Sequence, residues 1–297
     1  MAVLSTTVDL SRLPAPVFVP QLAYDAIVAQ MVADVQAVLP SFDATVDSDP
    51  AVKVLQVAAY REMLLRRQHQ EAAEQNLVAY ATGARLDHLG ALVGVTRLTV
   101  TPADPATGAA AVLEGDDAFR QRIVLAPEGF SCAGPELAYV AHAKAASGDV
   151  LDASATSPAP GQVRVSILSR IGNGAAAPGL IAAVDAIVTD RAIRPLGDQV
   201  VTASADIVNF AVAAQLVTFA GPDIEIVLNA ARAALAAYLA DNRRLGRTIT
   251  RSGLIAALSV AGVHRVDLTA PLADVACDAT QAAWCIGVAV AHGGFAS

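Results

Sequence analysis

The chain has 297 residues, enough for two or three domains, and is 55% apolar but only 16% charged, against roughly 25% in ordinary soluble chains. A formal net charge of −8 and a pI near 5.0 argue against a nucleic-acid partner. Aromatics at 4% and a mean hydropathy of +0.49 describe thin, alanine-rich cores with too little polar surface for one compact monomer, so extensive burial against partners is expected.

Residues 1–21 carry Pro14, Pro16 and Pro20, which fix φ and remove donors. They read as an extended arm, either frayed or pinned by a partner. Ile27, Met31 or Val32, Val35, and Val38 or Leu39 recur at helical spacing over 24–39, and Pro40 stops that helix. Asp49-Pro50 is an N-cap followed by proline at the first helical position, opening a long helix over 51–80. On it Val52, Leu55, Ala59, Met63, Ala73, Leu77 and Tyr80 form one stripe, interrupted by Arg66 and Gln70. Two readings stay open for that polar pair: it sets register against another helix, or the middle of the helix faces solvent. Thr82-Gly83 supplies a C-cap signal, and a short helix with Leu86, Leu89 and Val93 ends at Gly94.

Residues 96–117, rich in Pro, Gly, Ala and Thr, form a connector with a strand at 97–100. Asp116-Asp117 caps a short helix over 117–125, with Phe119 and Ile123 on one face, and Gly134-Pro135 opens another to 146. Strands follow at 150–155 and 162–168; in the second, Val163, Val165 and Ile167 alternate with Arg164 and Ser166, which reads as amphipathic. Gly172-Asn173-Gly174 is a turn, followed by a helix over 178–190 and a strand at 199–204. The last third opens with a strand at 207–218. Gly221-Pro222 then starts a helix through 241, with Ile224, Leu228, Ala231, Leu235 and Tyr238 on one face. Thr250 or Ser252 caps a helix to 260, and strands follow at 263–268 and 284–290. The succession of helix, strand, proline turn and strand between about 148–168 and 252–290 reads as a faint duplication of pattern. The predicted class is α+β and multi-domain: an N-terminal extended arm and long helices (1–95), a connector and central α+β domain (96–205), and a C-terminal α+β pairing domain (206–297).

Chemistry is hard to find. The five histidines, at 69, 88, 142, 264 and 292, make no metal spacing, and Cys132, Cys277 and Cys285 form no ligand pair, so no metal or cofactor is expected. The odd cysteine count suits a reducing compartment. The start of the chain lacks a basic region followed by an apolar run, so no secretory signal is expected. The most apolar windows, 253–263 and 207–222, are too short or too strand-like for the roughly 20 residues of a membrane span. Cys132 stands before a helix with no nearby histidine to complete a dyad. His292-Gly293-Gly294 has no following helix to make it an oxyanion loop. The Gly172–Gly174 turn, with Ala177 in the third position, superficially suits a phosphate-binding turn and carries the alternative reading, a small-molecule-binding or enzymatic α/β protein. Arg243, Arg244 and Arg247, with Arg251 nearby, make the densest positive patch. It reads either as helix capping or as a contact for an acidic partner surface such as a second copy of this chain.

Several blocks in order carry a family likeness. Leu13-Pro14-Ala15-Pro16 resembles an N-terminal arm, and Ala59-Tyr60-Arg61-Glu62 with Ala79-Tyr80-Ala81-Thr82-Gly83 a long helix and its cap. Phe119-Arg120-Gln121-Arg122-Ile123, Glu128-Gly129-Phe130-Ser131-Cys132, Leu168-Ser169-Arg170, Arg194-Pro195-Leu196, Arg243-Arg244-Leu245-Gly246-Arg247 and Gln281-Ala282-Ala283-Trp284-Cys285 follow. Together they resemble the baseplate J-like wedge proteins of contractile phage tails and tailocins, over nearly the whole chain. The resemblance implies a non-enzymatic structural role in a virion tail baseplate or tailocin particle assembled in the bacterial host cytoplasm. The implied partners are a second copy of itself, a partner baseplate wedge protein bundled with the N-terminal helices, neighbouring wedges, and the tail hub and sheath-initiating baseplate proteins. It also implies an iris-like ring that opens on contraction. Beside it stands this chain's own candidate interface: Leu55, Ala59, Met63, Arg66, Gln70, Leu77 and Tyr80 on the long helix, and Arg243, Arg244 and Arg247.

Overall fold

The computed structural model describes residues 10, 13–46, 48–130, 134–221 and 223–296. Cys132 and Pro222, both singled out above, lie outside them. The described residues divide into two compact units, one ending at Thr96 and the other beginning at Arg97.

In the first unit, α1 (Tyr24–Val38) packs against α2 (Pro50–Glu74). Ile27 of α1 and Val52 and Ala59 of α2 are buried. The Asp49 carboxylate accepts the Ala51 amide at 2.7 Å, the cap expected from Asp49-Pro50. The helix stops at Glu74, six residues short of the predicted end at Tyr80. The Asn76 amide donates to the carbonyls of Ala72 (3.1 Å) and Ala73, competing for acceptors that a further turn would use. Gln75 then ties the exit together, donating to the Tyr80 carbonyl and accepting the Thr82 amide. Thr82-Gly83 therefore marks the start of α3 (Gly83–Leu92), with Thr82 as its N-cap residue, rather than the end of α2.

The second unit opens with a small ribbon, β1 (Thr99–Thr101) against β2 (Val112–Leu113). Next come α4 (Asp116–Leu125), a 3-10 turn at Ala126–Phe130 and α5 (Glu136–Ala146). Asp116 and Asp117 sit in the first turn of α4 rather than capping it; the cap position is Gly115. Asp116 pairs with Arg97 at 2.5 Å and Asp117 with Arg120 at 2.6 Å. Glu114, almost fully buried, pairs with Arg122 at 2.6 Å.

The central sheet has the order β3 (Val150–Thr156), β4 (Gln162–Ser169), β5 (Gln199–Ser204). β3 is antiparallel to β4, and β4 is parallel to β5 across α6 (Pro178–Val188). Helices α5 and α6 cover one face, where Tyr139, Ala143, Val165, Ile167, Val184 and Val188 are buried. The Tyr139 hydroxyl donates to Asp198 at 2.8 Å. Burial, then that carboxylate, holds the phenol well above its ordinary range, so it is a neutral core anchor rather than an acid–base group. β4 is not simply amphipathic: Val165 through Ser169 are all buried. The cause is a second, smaller core on the other face, where Leu168 packs with Ala205 and Ala282, and with Leu151, Ile207 and Leu245.

The C-terminal sheet has the order β7 (Val263–Ala270), β6 (Asp206–Thr218), β8 (Gln281–Phe295). Along β6, Phe210, Val212, Ala214, Leu216 and Thr218 are buried at the period of two that one covered face requires. Their cover is α7 (Ile224–Asp241) and α8 (Arg251–Leu258), through Leu228, Ala231, Leu235, Leu254 and Leu258. Each fully buried leucine contributes about 2–3 kcal/mol of apolar transfer. Thr250 is the cap of α8, accepting the Gly253 amide at 3.1 Å. β8 extends beyond the predicted 284–290 because its parallel pairing with β6 continues from Asp206↔Gln281 to Thr218↔Phe295. The echo between the two modules does not reach pairing: β3 and β4 are direct partners, whereas β6 lies between β7 and β8. β5 and β6 are separated by the single residue Ala205, so 199–218 passes from one sheet into the other.

Candidate functional site

The predicted stripe of the long helix is engaged inside the chain. Ala59 is fully buried, and Leu55, Met63, Arg66 and Gln70 are half-buried on the same face of α2. Leu77 and Tyr80 lie past the helix end, in the turns leading to α3. The polar interruption has a structural use that neither reading anticipated. The Gln70 carboxamide oxygen accepts the amides of Phe18 (2.8 Å) and Val19 (3.1 Å), and its nitrogen donates to the Pro16 carbonyl (2.7 Å). Arg66 donates to the Pro20 carbonyl (3.3 Å) and pairs with Glu62, and the Tyr80 hydroxyl donates to the Leu13 carbonyl. A proline-rich arm makes no ladder of its own, so these side chains supply the partners that its backbone needs. Gln70→Ala is expected to loosen the arm by about 1 kcal/mol. Thermolysin cleavage within 13–20 should then rise roughly fivefold while the rest of the chain resists; an unchanged rate would show that the clamp does not hold the arm.

The opposite face of α2 is apolar and open. Val54 (68% exposed), Val57 (61%), Leu64 (44%) and Leu65 (52%) recur at helical spacing around Arg61. This second stripe is visible in the sequence as residues 54, 57, 64 and 65. It goes unnoticed once the 52–59–63 stripe is taken as the helix's only apolar face.

The three arginines of the basic patch divide. Arg243 turns inward, donating to the carbonyls of Gly172 (2.7 Å), Ser169 (3.4 Å) and Arg170 (3.5 Å). Its guanidinium lies 4.6 Å from the Trp284 ring centroid. Burial, and then the charge of Arg170, lowers its pKa from the ordinary arginine value. Arg244 and Arg247 are exposed; Arg247 donates to Asn242 at 3.1 Å. Arg251 is internal, donating to the Leu268 (3.0 Å) and Pro271 carbonyls.

The Gly172–Gly174 turn is built for this staple. Gly172 and Gly174 have φ of +61° and +104°, and a Cβ on Gly174 would come within 2.5 Å of Leu168 Cδ1. A phosphate cradle needs free amides. Here the amides of Ile171, Gly174, Ala175 and Ala176 donate to Ser169 Oγ, the Ile171 carbonyl, Asn173 Oδ1 and Ser204 Oγ. His292-Gly293-Gly294 is likewise strand, with His292 Nε2 at 3.1 Å from Thr218 Oγ1. Among the described residues no group of three or more His, Cys, Asp or Glu is placed to hold a metal, and no helix is long and apolar enough to cross a membrane.

Comparison with known proteins matches three segments in order. Residues 47–104 match the Baseplate J-like N-terminal domain, 131–205 the Baseplate J-like central domain, and 210–291 the Baseplate J-like protein C-terminal domain. The chain is also 42% identical over 296 residues to Baseplate protein J of Escherichia phage P2, covering 97% of this chain and 98% of that protein. With three family segments in order and a relative aligned from end to end, the chain belongs to the baseplate J-like family.

Proposed function

We propose that the chain is a non-catalytic structural subunit of a phage tail baseplate, and more specifically of the wedge of a contractile tail or tailocin. The observation that carries this is the end-to-end identity with a protein named for the baseplate. In this reading two copies join one partner wedge protein, and the wedges close an iris-like ring around the hub that changes conformation on sheath contraction. The long-helix region, including Leu55, Ala59, Met63, Arg66, Gln70, Leu77 and Tyr80, forms the partner-binding element. Its inward residues shape it and its outward stripe at Val54, Val57, Leu64 and Leu65 makes the contact. An open apolar stripe on an already packed helix pair is what a further helix would cover. Arg244 and Arg247 face an acidic surface of a neighbouring copy, next to Arg243, which is anchored on the Gly172 turn.

Light scattering on a sizing column, for the chain alone and co-expressed with its candidate partner, tests this. A two-to-one complex is expected. Val57→Glu, at an exposed position, should leave folding within about 0.5 kcal/mol yet weaken partner capture at least about tenfold. A monomer indifferent to the partner would overturn the wedge reading.

A further inference from the structure

A cleft of about 140 Å³ opens between α4, the start of β3 and the end of α7. At about 30 Å³ per water in the liquid, that is room for a small polyatomic ion or the head of an acidic side chain. Its cationic walls come from Arg122, Lys144, Arg170, Arg243 and Arg244, and its carboxylates from Glu114, Asp152 and Asp241. Two of those carboxylates are already engaged. Glu114 pairs with Arg122 at 2.6 Å; Asp152 faces Lys144 at 3.5 Å and accepts the Leu245 amide at 3.1 Å. Asp241 is exposed at the helix end.

The three remaining guanidiniums have no carboxylate partner among the described residues. Arg170 donates from Nε to the Gly148 carbonyl at 3.1 Å, Arg243 reaches only carbonyls and the Trp284 ring, and the Arg244 side chain is exposed. The Nε of Arg243 is buried with no acceptor. Arg170 stands close enough to Arg243 to disfavour its charge, and an anion held in the cleft relieves that repulsion.

We propose that this cleft binds an oxyanion, either a free phosphate-sized ion or the carboxylate of an Asp or Glu side chain, held between Arg170 and Arg244 beside the fixed Arg243. The chain itself is one source of carboxylates, with 28 Asp and Glu against 20 Lys and Arg. The free-ion source is independent of the wedge reading, whereas the second-copy carboxylate rests on the Arg244 contact proposed above.

The test is thermal unfolding and sedimentation mass of the full chain in potassium phosphate against potassium chloride at matched ionic strength. Wild type and Arg170→Gln/Arg244→Gln are compared. The wild type is expected to give a saturable response, with the folding equilibrium raised about tenfold at ten times the Kd, and the double variant none. An unchanged monomer mass identifies a free ion as the occupant. A dimer that phosphate dissociates identifies the carboxylate of a second copy. Should the double variant fail to fold, Arg244→Gln alone, at an exposed side chain, must weaken the response at least about threefold. No saturable response in either readout, or an equal one in wild type and variant, overturns the proposal.

Discussion

Ala59→Glu is expected to unpack the helix pair of the first unit while leaving the second folded. Ala59 is fully buried on the face of α2 that carries Val52, and α2 packs against α1. A glutamate there brings four more heavy atoms beyond Cβ, three of them a carboxylate with no basic partner, and overpacking and unpaired charge both oppose burial. The cost is at least about 3 kcal/mol, enough to open a contact as small as two helices. Hydrogen exchange on the full chain reads this directly. Amides of α1 and α2 should lose protection while those of β4 and β6 keep it. The neighbouring Ala58, exposed on the far side of the helix, provides the contrast: Ala58→Glu should cost less than about 0.5 kcal/mol. Undiminished protection across 24–74 in Ala59→Glu would mean that α1 and α2 do not depend on this contact.

The second large effect is expected at Arg243. Arg243→Ala removes charge-assisted hydrogen bonds to the Gly172, Ser169 and Arg170 carbonyls and the stack on Trp284, and leaves those carbonyls without their donor. A loss of about 2–4 kcal/mol follows. Denaturant unfolding should show a lowered midpoint with an unchanged slope. Trp284 is the single tryptophan, so its emission reports the same site and should shift to the red as the ring loses its cover. Arg243→Lys keeps the charge but not the planar fork, and should recover less than half of the loss. A cost under about 1 kcal/mol with unchanged emission would mean the staple contributes little.

These two residues also show what was legible before the fold was known. Local chemistry reads well: Asp49-Pro50 opens α2, Thr250 caps α8, and the alternation through Phe210 to Thr218 marks a strand with one covered face. Ala59 was legible as part of a stripe. What a linear reading does not reach is the identity of a distant partner. Gln70 clamps backbone some 50 residues upstream, and the acceptors of Arg243 lie more than 70 residues before it. In both cases a polar side chain in an apolar context announces only that something must satisfy it. The early end of α2 was missed for a smaller reason. The competition from Asn76 is local, but helical periodicity in Leu77 and Tyr80 masked it. The long reach of β8 depends on β6, and no property of residues 291–295 alone specifies it.

The crossing at Ala205 has a mechanical consequence. Its amide donates to the Ile167 carbonyl (2.8 Å) and the next amide, that of Asp206, to the Thr280 carbonyl (3.0 Å), so the backbone leaves one sheet and joins the other without a free residue between. A load applied along 199–218 is carried by covalent bonds and by rows of ladder hydrogen bonds strained together in shear, not peeled one at a time. Bending at that point would break both bonds and open the small core around Leu168, Ala205 and Ala282. The two sheets are therefore expected to move together under such a load rather than hinge at Ala205.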